Sequence, residues 1–78
     1  LIYPNPVQDQ LWIYVPGSDT RIEVYHTDLS GRTNHLGALS IGSNRVIRLG
    51  TRDWPVGLNL LRLSGPTTQT VHRIVKTP

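Results

Sequence analysis

Residues 57–76 read GLNLLRLSGPTTQTVHRIVK, and the reading of this stretch decides the fold. Leu58 to Leu63 is the most apolar run of the chain, with Leu61 and Leu63 on one face. It reads as a central strand. Ser64-Gly65-Pro66-Thr67 combines glycine and proline in a tight turn. Thr70 to Lys76 follows as a second strand, rich in β-branched residues, whose two faces the pattern leaves open. Two strands of this length need further sheet to bury their apolar side, and the rest of the chain supplies it.

Upstream, Gly50 to Gly57 is a long connection in which Trp54 is large enough to cap one end of a core. Asn44 to Leu49 is a strand with Ile47 and Leu49 inward. Gly37 to Asn44 reads as a loop from which Leu39 and Ile41 can still pack, and a weak strand covers Arg32 to Leu36. Asp28 to Gly31 is a turn in which Gly31 suits a positive φ. Arg21 to His26 alternates cleanly, with Ile22, Val24 and His26 inward and Arg21, Glu23 and Tyr25 outward. Pro16 to Asp19 is a turn. Gln10 to Val15 places Leu11, Ile13 and Val15 on one face and Trp12 and Tyr14 on the other. No run keeps a helical period clear of glycine, proline and β-branched residues. Six or seven short strands punctuated every eight to twelve residues predict an all-β fold, a small antiparallel immunoglobulin-like β-sandwich of about seven strands. A partly closed barrel is the alternative.

The chain opens with LIYPNPV. Pro4 and Pro6 fix φ near −65° and donate no backbone hydrogen bond, and they push Tyr3 and Asn5 towards extended conformations. Residues 1–9 therefore read as a stiff lead-in, with Pro4, Asn5 and Pro6 as spacer, and residues 10–76 as the sandwich of a single domain spanning 1–78. The prolines either deliver the domain at a set distance from whatever precedes it or block strand addition at a sheet edge.

Seventy-eight residues leave room for one modest core. With no cysteine, no disulfide or zinc–thiolate centre can staple it. The first residue is leucine, the expected mark of a piece of a longer chain. No segment approaches the length of a membrane helix, and direct membrane insertion is not expected. The net charge of +3 comes from seven arginines and one lysine spread from Arg21 to Lys76. Such dispersal fits solvated strand faces rather than the concentrated patch of a nucleic-acid binder, so no nucleic-acid partner is expected.

Signals for catalysis are thin. His26, His35 and His72 lack metal-ligand spacing. Asp9, Asp19, Asp28 and Asp53 all fall in turns, where aspartate caps backbone amides. The serines lie in loops without a nucleophile-elbow pattern, and the glycines form no phosphate loop. The expectation is no enzyme, no catalytic residue, no metal and no cofactor. Tyr3, Trp12, Tyr14, Tyr25 and Trp54 are read first as core and inter-strand packing. A carbohydrate-binding or adhesive sandwich is the alternative function, with Trp12 and Tyr14 as its only candidate pair.

The order of these features carries a resemblance. Tyr3-Pro4-Asn5-Pro6-Val7 precedes Asp9 and Leu11-Trp12-Ile13. Then come Ile22-Glu23-Val24-Tyr25, Gly31-Arg32, Ile47-Arg48-Leu49, Trp54-Pro55-Val56-Gly57 leading into Leu58–Leu63, and a final Val75-Lys76. Over nearly its whole length the chain resembles the type A C-terminal sorting domain of the type IX (Por) secretion system of Bacteroidetes-type bacteria. It departs from the usual pattern at His26–Ser30, which lengthen the segment before Gly31-Arg32, and at Asn59, where tyrosine is common. Thr77 and Pro78 also follow the usual terminal lysine.

The resemblance implies a sorting signal at the extreme C-terminus of an exported cargo. Such cargo passes through the periplasm and then reaches the outer membrane, the cell surface or the medium. The implied partners are the outer-membrane translocon and its shuttle β-barrel. In many cargoes a sortase-like cysteine protease cuts before the sandwich and joins the cargo to anionic lipopolysaccharide. The resemblance places recognition towards the C-terminus, and Gly57, Arg62, Arg73, Val75 and Lys76 are the candidate residues, with Arg62, Arg73 and Lys76 offering positive charge to an acidic partner.

Overall fold

The computed structural model describes residues 2–4 and 6–78. Among them are seven strands and no helix: β1 (Ile2–Tyr3), β2 (Gln10–Tyr14), β3 (Arg21–Thr27), β4 (Thr33–Ser40), β5 (Val46–Gly50), β6 (Gly57–Ser64) and β7 (Gln69–Lys76). They form two antiparallel sheets, one ordered β1-β2-β5 and the other β4-β3-β6-β7. The chain changes sheet between β2 and β3, between β4 and β5, and between β5 and β6, which gives the crossing connections of an immunoglobulin-like sandwich.

The core lies between the sheets. Leu11, Ile13, Ile47 and Leu49 come from one sheet and Ile22, Val24, Leu61, Leu63 and Ile74 from the other, all buried. Period-two alternation accounts for nearly all of them, as expected where each sheet has one face against the core. Trp54 closes one end as anticipated, its ring 4.3 Å from the His26 imidazole and within 16° of parallel to it. The ambiguous last strand turns Ile74 and Lys76 inward and leaves Val71 exposed.

The fourth strand differs from expectation. It runs from Thr33 to Ser40 instead of fading at Leu36. The register shifts between Val24 and Tyr25, so that Val24 faces Gly37, Tyr25 faces His35 and Leu36 is the extra residue of a β-bulge. Gly37 has φ +117°, a conformation that favours glycine. A glycine that looks like a strand terminator is thus the pivot that lets the strand continue. The residues His26–Ser30 extend β3 by Thr27 and build its turn. There Asp28 Oδ1 accepts hydrogen bonds from Ser30 N (3.0 Å), Ser30 Oγ (2.6 Å) and Arg32 N (3.1 Å), which hold its carboxyl below the ordinary value of 3.8, the Ser30 hydroxyl first among the causes.

The lead-in is packed onto the sandwich. Ile2 and Tyr3 pair with Ile13 and Trp12 at the edge of the three-stranded sheet. Past the prolines, Val7 is fully buried and pairs in parallel with the end of β7. Val7 N donates to Val75 O and Thr77 N to Val7 O, both at 2.8 Å. The chain therefore switches from one sheet to the other across Pro4 and Pro6. Residues that cannot donate to a ladder sit where the chain leaves one ladder for the next. Pro4 and Pro6 lie beside the sandwich and not ahead of it; Asn5, the third spacer residue, lies outside the described residues.

Asp19 ties three connections together. Its carboxylate accepts hydrogen bonds from Thr67 Oγ1 and Thr68 Oγ1, both at 2.7 Å, and from Thr67 N at 3.0 Å, joining the β2–β3 loop to the β6–β7 turn. Its backbone carbonyl accepts from Arg45 Nη1 at 2.6 Å, while Arg45 Nε donates to Val15 O. Gly65 admits this approach because it has no side chain: a Cβ there would lie 2.8 Å from Asp19 Oδ2 and 3.3 Å from the Arg21 carbonyl oxygen.

Candidate functional site

The C-terminal hairpin β6–β7 pairs along eight residues on each strand, from Gly57 opposite Lys76 to Ser64 opposite Gln69. Gly57, at φ +109°, turns the chain out of the Trp54 connection into β6. Alternation then divides the hairpin. Asn59, Leu61, Leu63, Ile74 and Lys76 face the interior and are buried, with His72 half-buried beside them. Leu58, Leu60, Arg62, Val71, Arg73 and Val75 share the outer face.

That outer face is both apolar and basic. Leu60 is 37%, Val75 42% and Val71 61% exposed. In register, Leu60 stands opposite Arg73, Arg62 opposite Val71 and Leu58 opposite Val75, so Leu60 is the diagonal neighbour of both Val71 and Val75, and Arg62 and Arg73 alternate with the apolar residues. A row crosses the whole four-stranded sheet: His35, Tyr25, Arg62 and Val71. Arg62 holds its guanidinium carbon 4.3 Å above the centre of the Tyr25 ring, His35 stacks on the other side of that tyrosine at 4.8 Å, and His35 Nε2 lies 3.0 Å from Glu23 Oε2. Arg62 is thereby held in place against the sheet.

The anticipated recognition residues divide accordingly. Arg62, Arg73 and Val75 come together on the outer face, and Gly57 sits at its lower edge. Lys76 does not join them. It is only 8% exposed, and its ammonium donates to the Arg52 carbonyl at 3.3 Å. Its parity with Ile74 turns it inward, so its charge serves the end of the sandwich. Leu60 and Val71 were not singled out from the sequence. The signal was there: they share parity with Arg62 and Arg73, opposite to the buried Leu61 and Ile74.

Asn59 now has a structural account. Its Nδ2 donates to Pro55 O (3.0 Å) and Gly57 O (3.1 Å), which leaves Oδ1 to accept from His26 Nε2 at 2.7 Å. That assigns the Nε2–H tautomer to His26. The amide thus closes the Trp54 connection onto β3. Replacing Asn59 with Leu strands one buried donor and two carbonyls, and is expected to cost about 2 kcal/mol, read as a lower denaturant midpoint at unchanged slope.

Elsewhere several polar side chains are committed to structure. A recess of about 480 Å³ lies between Trp54 and the β3–β4 turn, but its Asp28 caps that turn and its His26 bonds Asn59. Partial burial holds the His72 ring below its ordinary value of 6.5. No group of three or more histidine, aspartate or glutamate side chains is placed to hold a metal ion among the described residues.

Neither the curated proteins nor the solved structures contain a match to the chain. The profile of the secretion system C-terminal sorting domain matches residues 1–77, a span that takes in all seven strands and the outer face of the hairpin. That family is one of sorting signals and not of enzymes. This chain belongs to the family of type IX secretion C-terminal sorting domains.

Proposed function

We propose that this domain is read, in its folded state, by the outer-membrane translocon of the type IX system and its shuttle β-barrel, and that the reading surface is the outer face of β6–β7. The observation that carries this is the exposed Leu60, Val71 and Val75 set among Arg62 and Arg73 on that face. Exposed apolar surface with a polar rim is the composition of a docking site. The arginines suit an acidic partner and favour rapid encounter. Docking by the face is preferred over strand addition at the end of β7, because Val7 already occupies the main-chain groups of Val75 and Thr77 there.

Cargo carrying the domain crosses the periplasm and leaves through the outer membrane to the cell surface or the medium. A sortase-like cysteine protease, where it acts, cuts before the sandwich. Because β1 is paired into the sheet, an accessible cut site lies upstream of Ile2.

The test fuses these 78 residues to a periplasmic reporter in a type IX-competent host. Reporter on the surface or in the medium, and its retention in the periplasm when the translocon is deleted, is the expected result. Export that persists without the translocon overturns the proposal.

A further inference from the structure

The three-stranded sheet β1-β2-β5 carries a second outer surface, on the opposite side of the sandwich from β6–β7. On the outer side of β1-β2-β5 stand Tyr3, Trp12 and Tyr14, not in the core where aromatic residues of a small sandwich usually go. Tyr3 is 46% and Tyr14 44% exposed, and Trp12 is half-buried. Tyr3 and Trp12 are cross-strand partners, their rings 6.1 Å apart and within 10° of parallel. Tyr14 follows two residues along β2, about 7 Å away on the same face.

The polar groups around these rings supply both donors and acceptors. Arg48 stands opposite Trp12 on β5. On the other side, a recess of about 590 Å³ opens beside Trp12, lined by Gln10 and Asp9 and walled by Pro4 and Pro6. A basic residue in register and an acidic residue in the recess thus flank the tryptophan. A phosphate backbone or an acidic polymer would meet Asp9. A neutral polyhydroxyl ligand meets the arginine and glutamine as donors and the aspartate as acceptor, which matches hydroxyls that both give and take hydrogen bonds. Partly exposed rings on the outer side of a sheet, with such groups at their rim, suit a pyranose whose equatorial hydroxyls leave its flat faces lined with C–H.

We propose that the outer face of β1-β2-β5 is a saccharide-stacking platform for neutral, gluco-configured oligosaccharides, with Trp12 and Tyr14 as the stacking rings. The inference is independent of the sorting reading. The test titrates cellohexaose, and separately hexagalacturonate, into the 78-residue chain, with saturation-transfer NMR to identify the contacting rings. Expected are cellohexaose binding with transfer from Trp12 and Tyr14, a loss on the order of tenfold for Trp12→Ala, and weaker binding of the acidic oligomer. Because Trp12 is half-buried and its variant can lose structure, Tyr14→Ala is the decisive variant: it retains the thermal midpoint and weakens binding several-fold. No binding of cellohexaose, equal or tighter binding of hexagalacturonate, or cellohexaose binding untouched by Tyr14→Ala overturns the proposal. Export of a fused reporter carrying Tyr14→Ala stays normal under the sorting reading, so the two fail separately.

Discussion

A chain carrying both Leu60→Glu and Val71→Glu is expected to fold and to lose export. The fold survives because both positions face outward and both new carboxylates land opposite an arginine: Leu60 pairs in register with Arg73, and Val71 with Arg62. Opposite charges directly across a ladder contribute up to about 1 kcal/mol, enough to offset the weaker β-propensity of glutamate. A thermal midpoint within about 5 °C of the parent is expected. The surface, in contrast, is remade. Two exposed apolar side chains become charged, and the two carboxylates take the net charge from +3 to +1. An acidic partner would meet repulsion where it met apolar surface, and such juxtaposition costs several kcal/mol. Exported reporter should fall at least about tenfold, since each 1.4 kcal/mol is a factor of ten in binding. Glutamate at two outward positions of the opposite sheet, Val46 and Arg48, should leave export near normal.

The second large effect concerns stability. Asp19→Ala removes the acceptor of two hydroxyls and a backbone amide, and leaves the Thr67–Thr68 turn without its anchor. A drop in thermal midpoint on the order of 10 °C is expected. The same carboxylate gives the domain an acid limb. The hydroxyls of Thr68 and then Thr67 hold its pKa below the ordinary value of 3.8, so below that value the unfolded chain binds the proton more readily. Its contribution is complete above pH 3.8 and is lost as the pH falls through the folded-state value. Asp28 titrates in the same sense. Midpoints measured across acid pH should therefore show a shallower acid limb in Asp19→Asn than in the parent. An unchanged limb would show that the Asp19 interactions do not distinguish the folded state.

Much of this was legible in the chain. Alternation named Leu11, Ile13, Ile22, Val24, Ile47, Leu49, Leu61 and Leu63 as core, and each is buried, because an antiparallel sheet with one solvated face imposes a period of two. Where alternation breaks, legibility stops. The weak strand ending at Leu36 gives way to a loop reading at Gly37, because glycine is a common loop signal and only the partner strand shows that pairing resumes beyond the bulge. Thr70–Lys76 carries β-branched residues on both parities, so its faces follow from pairing with β6 and not from its own pattern. That is how Lys76, last in a basic series, comes to be buried. The proline lead-in showed its stiffness but not its path. That a chain crosses from one sheet to the other at Pro4–Pro6 depends on contacts with residues some seventy positions away. Of the candidate site, the charges Arg62 and Arg73 were legible, and the apolar Leu60 and Val71 beside them were obscured by the expectation that apolar residues in strands are core.

The central claim is that a partner reads the outer face of the C-terminal hairpin. The most direct measurement places a photo-crosslinking benzoylphenylalanine at position 71, or at position 46 on the opposite sheet, in an exported reporter fusion and maps what each captures during export. The account predicts capture of an outer-membrane component from position 71 and none from position 46. Capture from position 46 alone, or efficient export with no capture at position 71, contradicts it.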